Sequence, residues 1–223
     1  MPEIILVPTS HISRESLENV RKAVESHKPD CIALELDLNR YYALKAEEGG
    51  GQSPVRMIRA FGLFTFLIYW ILKKFQSYFG GKTGILPGSE MLKGVELAKE
   101  FNLPFAFIDQ PIERTFFRIR EIPLSEKLKL FWLLIKAVLG MAYPFGKKVE
   151  IDLSKVPPKE LIREAMLYFR KELPGFYRVL VEERNAIMSR NLNELNKKFE
   201  SIVCVIGAGH ESGMRELLKN VQS

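Results

Sequence analysis

Two of the three histidines in this 223-residue chain stand where they could do chemistry. His11 follows the run Ile4–Val7 and Pro8-Thr9-Ser10, and His210 follows the run Ile202–Ile206 and Gly207-Ala208-Gly209. Acids end the other apolar runs in the same way, the run Cys31–Leu36 closing on Glu35-Leu36-Asp37 and Phe105–Ile108 on Asp109. Two neutral imidazoles with one or two carboxylates make an open site for a borderline divalent cation, which would acidify a bound water and polarise a carbonyl. The same residues also suit a histidine general base beside a carboxylate with no metal. His11 and His210 lack the short spacing of a helical zinc motif, so spacing leaves both chemistries open.

These residues meet only if the apolar runs are neighbouring strands. Each is rich in Val, Ile, Leu and Phe over about five residues, as strands buried on both faces are. Helical patterns separate them. Ser13 is placed to cap a helix bearing Leu17, Val20 and Val24 on one face, and Ser89 to cap another running to Phe101. Strand–helix–strand order implies an α/β fold with a central, largely parallel sheet of about four strands and flanking helices. The carboxyl ends of such strands line the ligand crevice. Residues 41–86 and 111–200 carry little strand signal and read as helical insertions or a cap on a single domain covering 1–223.

Other charged residues have two readings each. Glu90 shares an inward face with Gly94, Leu97 and Ala98, either as a site carboxylate or as a residue favoured by a helix N-terminus. Glu183-Arg184 interrupts the apolar stripe of Leu180 and Ile187, so one of the pair faces the interior as a structural ion pair or as a substrate-orienting group. Pro157-Pro158 opens a helix that Pro174-Gly175 stops, and a longer helix follows from about Phe176 to Phe199. Gly207-Ala208-Gly209 follows a strand as a dinucleotide loop would, but only ten residues come after Gly213, and the glycines are expected to turn the backbone so that His210 faces the crevice.

Composition narrows the classes. With 47% hydrophobic and 27% charged residues, the chain is neither disordered nor collagenous, and two cysteines in apolar runs, Cys31 and Cys204, read as buried thiols in a reducing compartment. The net charge of +6 concentrates around Arg114, Arg118, Arg120, Lys127, Lys129, Lys136, Lys147 and Lys148. Acids punctuate that stretch and no nucleic-acid motif accompanies it, so no nucleic-acid partner is expected; an anionic membrane surface remains an alternative to a solvated face. MPEIILVPTSH has no basic leader region and reads as a first strand rather than a signal peptide. The apolar runs Phe61–Leu72 and Leu128–Phe145 are too short or too interrupted to span a bilayer and read first as buried core helices. Should they be exposed, a homodimer or membrane-surface contact is expected. The localisation expected is cytoplasmic, with or without membrane association.

Taken together, Thr9-Ser10-His11-Ile12-Ser13, Pro29-Asp30 with Glu35-Leu36-Asp37 and Arg40, Gly88-Ser89-Glu90-Met91, Asp109-Gln110-Pro111-Ile112 with Thr115 and Arg118, Glu183-Arg184-Asn185 with Met188, and Val205-Ile206-Gly207-Ala208-Gly209-His210 resemble the TraB/PrgY/GumN family. That family is related to the Tiki proteases and has an EreA/ChaN-like fold. The resemblance implies a metal-dependent hydrolase built on two GxxH motifs and nearby glutamates, acting on peptides as in pheromone shutdown. Gly207–His210 keeps the second motif, whereas Pro8 stands where the first has Gly. Carried over, His11, His210 and Glu35 would hold Mn, Co or Zn, with Glu35 and Glu90 as the catalytic carboxylates. Arg40, Asp109, Arg114, Glu183 and Arg184 would orient substrate or carboxylates. A peptide-sequestering module without turnover and a metal-free histidine-base hydrolase use the same residues.

Overall fold

The computed structural model describes residues 3–10, 13–46, 88–138 and 156–222. His11, the run 61–72, the glycine clusters at 49–51 and 80–81, and Lys147-Lys148 lie outside the described residues, as does most of the insertion expected over 41–86.

Four strands form where the apolar runs predict them: β1 (Glu3–Thr9), β2 (Cys31–Leu34), β3 (Phe105–Phe107) and β4 (Ser201–Gly207). All pair in parallel, in the order β1-β4-β2-β3. The last strand in sequence is thus inserted between the first two, and Val203, Cys204, Val205 and Ile206 are fully buried. Thr9 is the register partner of Gly207, which sets the ends of β1 and β4 side by side.

Helices cover both faces. On one, α1 (Arg14–His27) and α3 (Ser89–Glu100) pack Val20, Val24, Val95 and Leu97 onto Ile32, Leu34, Val203 and Val205. On the other, α8 (Glu183–Asn196) and α9 (Glu211–Gln222) pack Met188, Leu192, Met214 and Leu218 onto Cys31, Ala33, Cys204 and Ile206. The strand residues alternate between the two faces, as a period of two requires. Both thiols are free and buried; burial pushes Cys31 up to about 11, with Asp30 adding to it, and raises Cys204 as well.

Ser13 caps α1 as expected, its hydroxyl accepting from the Ser16 N–H at 3.4 Å. The cap of α3 is Gly88 rather than Ser89. Gly88 has φ +91°, a conformation that favours glycine, and its carbonyl accepts from the Met91 and Leu92 N–H groups.

Between β2 and α3, the described chain forms α2 (Leu38–Ala46). After β3 come α4 (Ile112–Glu121), α5 (Leu124–Val138), α6 (Lys159–Glu172) and the short α7 (Pro174–Tyr177). The long helix expected over 176–199 is interrupted by a π-helical turn, Arg178–Glu182, in which the Glu183 N–H donates to the Arg178 carbonyl five residues back. The inward stripe consequently runs through Val181, Asn185, Met188 and Leu192, in place of Leu180 and Ile187.

The helix expected over 128–145 begins earlier, and its described part is not a core helix. α5 turns Leu130 and Leu133 towards Ile119, Ile122, Leu173, Phe176 and Val179, leaving Leu124, Leu128, Phe131 and Trp132 exposed. Among the described residues no helix is long and apolar enough to cross a membrane.

α3 lies close enough to β2 that a Cβ at Gly94 would come within 2.4 Å of Leu34 Cδ2. Leu34 is fully buried and has little room to move. Gly94→Val is therefore expected to cost about 1–3 kcal/mol, read as a lowered midpoint in thermal or urea unfolding.

Candidate functional site

The residues that leave β2, β3 and β4 converge on one guanidinium. Glu35 continues from β2, its N–H donating to the Val205 carbonyl at 3.0 Å, so its side chain is fixed relative to the sheet. Its Oε2 accepts from the Gly207 N–H at 2.6 Å, and its Oε1 accepts from Nη2 of Arg184. Asp109 follows β3 and receives Arg184 twice, Nε donating to Oδ1 at 3.2 Å and Nη2 to Oδ2 at 2.7 Å. Nη1 of Arg40 also donates to Asp109 Oδ2, at 3.3 Å.

Arg184 reaches this point from the first turn of α8, just past the π-helical turn. Its Nη1 donates to the Leu180 carbonyl at 3.3 Å, so the turn both redirects the helix and holds the side chain. Burial works against the charge on Arg184, but Glu35 and Asp109 outweigh it and hold the pKa above its ordinary value. The group stays cationic between the two carboxylates.

His210 lies on the other side of that cation. Gly207 leads into a 3-10 turn, Ala208–His210, which buries the imidazole at the start of α9. Its Nε2 is 3.1 Å from Arg184 Nη1 and 3.3 Å from Glu35 Oε1, and its Nδ1 is 2.6 Å from Asn185 Oδ1. Both ring nitrogens are therefore partnered, Nε2 between a guanidinium and a carboxylate and Nδ1 by the Asn185 amide.

Asp37 sits beside the cluster, with Oδ1 accepting from the Asn39 and Arg40 N–H groups at 2.9 and 3.1 Å. It thereby positions the start of α2, and Arg40 with it. Oδ2 is buried without a hydrogen bond. Burial raises the carboxyl pKa despite the two N–H bonds and Arg40, and Asp109 adds to the rise.

Of the residues predicted from sequence, the structure brings together Glu35, Arg40, Asp109, Arg184 and His210. Glu90 is buried in the first turn of α3, as its inward face predicts. Glu183 does not join the cluster. It receives Arg118 in a two-point contact at 2.7 and 3.0 Å, which holds its carboxyl below the ordinary range, with burial opposing. Arg114 is exposed on α4 and acts on Glu183 only through its charge. Of the adjacent pair, then, Arg184 faces inward and Glu183 braces α4 against α8. His11 lies outside the described residues, and among the described residues no group of three or more His, Cys, Asp and Glu side chains is arranged to hold a metal ion.

Asn185 and the Gly207 N–H were not singled out from sequence as site groups. An asparagine on the apolar stripe between Val181 and Met188 is a signal for the first; a backbone donor leaves none.

A parallel α/β sheet with an acid, an arginine and a histidine gathered at its strand ends belongs to the class of open sheets whose ligand crevice lies beyond the carboxyl ends of the strands. A family model described as TraB/PrgY/gumN matches residues 2–223, and the chain belongs to that family. It is 33% identical over 225 residues to an uncharacterized protein of Methanocaldococcus jannaschii, covering 99% of this chain and 54% of that protein. It is 25% identical over 241 residues to a TraB domain-containing protein of Mus musculus and 24% identical to one of Homo sapiens, each match covering 96% of this chain and 62% of the relative. The chain therefore spans little more than half the length of these relatives.

Two measurements probe the cluster. Arg184→Met leaves Glu35 and Asp109 buried without their main partner and is expected to cost about 3–5 kcal/mol in urea unfolding. Arg118→Met, at the more exposed Glu183 pair, should cost about 1 kcal/mol or less. Because the folded Asp37 carboxyl holds its proton more tightly than the unfolded one, its own contribution to stability is fully present below the ordinary carboxylate value and is lost as pH rises through the raised value. Asp37→Asn keeps the Oδ1 acceptor and removes that slope, so its stability relative to wild type should rise with pH through that window.

Proposed function

We propose that this chain is a metal-dependent hydrolase that cleaves peptide bonds at the Glu35–Arg184–His210 cluster. The observation that carries this reading is the 3.3 Å separation of His210 Nε2 and Glu35 Oε1. Two ligands of one tetrahedral ion, each bonded at about 2 Å, stand at about that distance. Asn185 accepting from Nδ1 is the outer hydrogen bond that ligating imidazoles ordinarily make.

His11 is the proposed third ligand. Thr9 Oγ1 donates to the Ile206 carbonyl at 3.1 Å, which ties the end of β1 to the strand that delivers His210. In the structure Arg184 lies against both proposed ligand atoms while also gripping Asp109, so it can give up His210 and Glu35 and keep an anchor.

Manganese, cobalt or zinc bound there would acidify a water and polarise the scissile carbonyl. Arg184 and Arg40 supply positive charge for a substrate carboxylate or a developing oxyanion, and Asp109 keeps both guanidinium groups in place. Glu35 and Glu90 are the proposed carboxylates for proton transfer. Glu35 is locked by the Gly207 N–H at a fixed distance from the imidazole, the geometry a proton carrier needs.

The test is peptide hydrolysis by the purified chain loaded in turn with Mn, Co and Zn. Turnover should vanish on chelation and fall about 100-fold or more in His210→Ala. Unchanged turnover in that variant overturns the reading. Turnover that survives chelation but not the substitution makes His210 a metal-free general base, and peptide binding under chelation without product makes the pocket a sequestering module.

A further inference from the structure

The two nitrogens of His210 are held by consecutive residues of one helix, Arg184 at Nε2 and Asn185 at Nδ1. We propose that Asn185, seated against Gly213, is a positioning residue that fixes His210 as the Nδ1–H tautomer and so presents the Nε2 lone pair to the site. What Nε2 then does rests on the hydrolase reading above; the tautomer does not.

The argument is one of donors and acceptors. Arg184 Nη1 has hydrogens only, so a hydrogen on Nε2 would face another hydrogen at 3.1 Å, while the acceptor that could take it instead, Glu35 Oε1, stands farther off at 3.3 Å and already receives Arg184 Nη2. Nε2 must then accept, Nδ1 must donate, and the atom 2.6 Å from Nδ1 must be an oxygen. Asn185 meets this with its carbonyl and turns its amide nitrogen away. Flipping that amide would set a second donor against Nδ1 and break both contacts at once.

Space confines the amide to this seat, and the donor–acceptor pairing sets which of its two atoms faces the ring. Asn185 is buried, and its Nδ2 lies 2.4 Å from where a Cβ on Gly213 would stand. Gly213 is on α9 and Asn185 on α8, two helices packed on the same face of the sheet. A glycine is thus needed at 213 for the amide to fit between them. α9 begins immediately after His210, so the seat and the ring it orients belong to one short stretch of chain.

Correlation of imidazole nitrogens and ring protons by 15N NMR, with EDTA present, reads the tautomer directly. The His210 signals are assigned by their loss in His210→Gln. Wild type is expected to show a protonated Nδ1 and an unprotonated Nε2. Asn185→Leu, close in size but without an acceptor, should lose that pattern, and Asn185→Asp should keep the hydrogen on Nδ1. Gly213→Ala should shift both His210 nitrogens by displacing the amide. A wild-type ring protonated at Nε2, or an Asn185→Leu ring that keeps the Nδ1–H pattern, overturns the proposal. Should Asn185→Leu fail to fold, unchanged His210 shifts in Gly213→Ala overturn the seat. Loss of the tautomer in Asn185→Leu, with no peptide hydrolysed by wild type under any ion, upholds the positioning and removes only the hydrolase reading. Hydrolysis by wild type with a tautomer indifferent to Asn185 does the reverse.

Discussion

A guanidinium buried between two carboxylates constrains everything around it. Arg184 gives hydrogen bonds to Glu35, Asp109, His210 and the Leu180 carbonyl, and each of these comes from a different part of the chain. None of the charged partners can be withdrawn without leaving an uncompensated charge in a poorly solvated place. Strand β2 must therefore end where Glu35 faces α8, β3 where Asp109 does, and the turn after β4 must bring His210 to the remaining N–H. The register of the parallel sheet achieves the first and third together, because the Gly207 N–H and the Glu35 carboxylate lock β4 to the residue leaving β2.

Stability alone does not account for such an arrangement. Desolvating a guanidinium and two carboxylates costs about as much as their attraction returns, and a well-packed apolar substitute is often neutral or better. The sheet already has apolar clusters on both faces that would hold it without the charges. A cluster that adds little to stability and sits at the carboxyl ends of parallel strands supports the reading proposed above. The π-helical turn before Arg184 agrees with this, since it spends regular helical bonding to aim one side chain.

Much of the sheet and half of the site could be read from residue types. Four short apolar runs became the four strands, since segments buried on both faces have few other composition options. The polar residues expected after three of the runs, Glu35, Asp109 and His210, are found at the carboxyl ends of β2, β3 and β4, while His11 lies outside the described residues. Strand order was not legible, because nothing local distinguishes β4 lying between β1 and β2 from its lying at an edge. Nor was the π-helical turn: Arg178-Val179-Leu180-Val181-Glu182 is an ordinary helical sequence, and a one-residue slip in it moved the inward stripe from Leu180 and Ile187 to Val181 and Asn185. That slip also decided between Glu183 and Arg184, which sequence left as an undivided pair. The run 128–145 predicts a buried helix because Leu128, Phe131 and Trp132 have the spacing of a core face; α5 instead turns Leu130 and Leu133 inward against the smaller cluster around Phe176.

The division of labour between neighbours in sequence follows from that same slip. Consecutive residues on a helix point about 100° apart, since 3.6 residues complete a turn. Glu183, Arg184 and Asn185 accordingly fan out to three destinations: Arg118 on α4, the carboxylates at the strand ends, and the imidazole beside α9. One turn of α8 thus joins the helical subregion to the sheet and both to the loop that carries His210. A shift of a single residue in the π-helical turn would rotate all three side chains away together, so the local irregularity and the long-range cluster stand or fall as one.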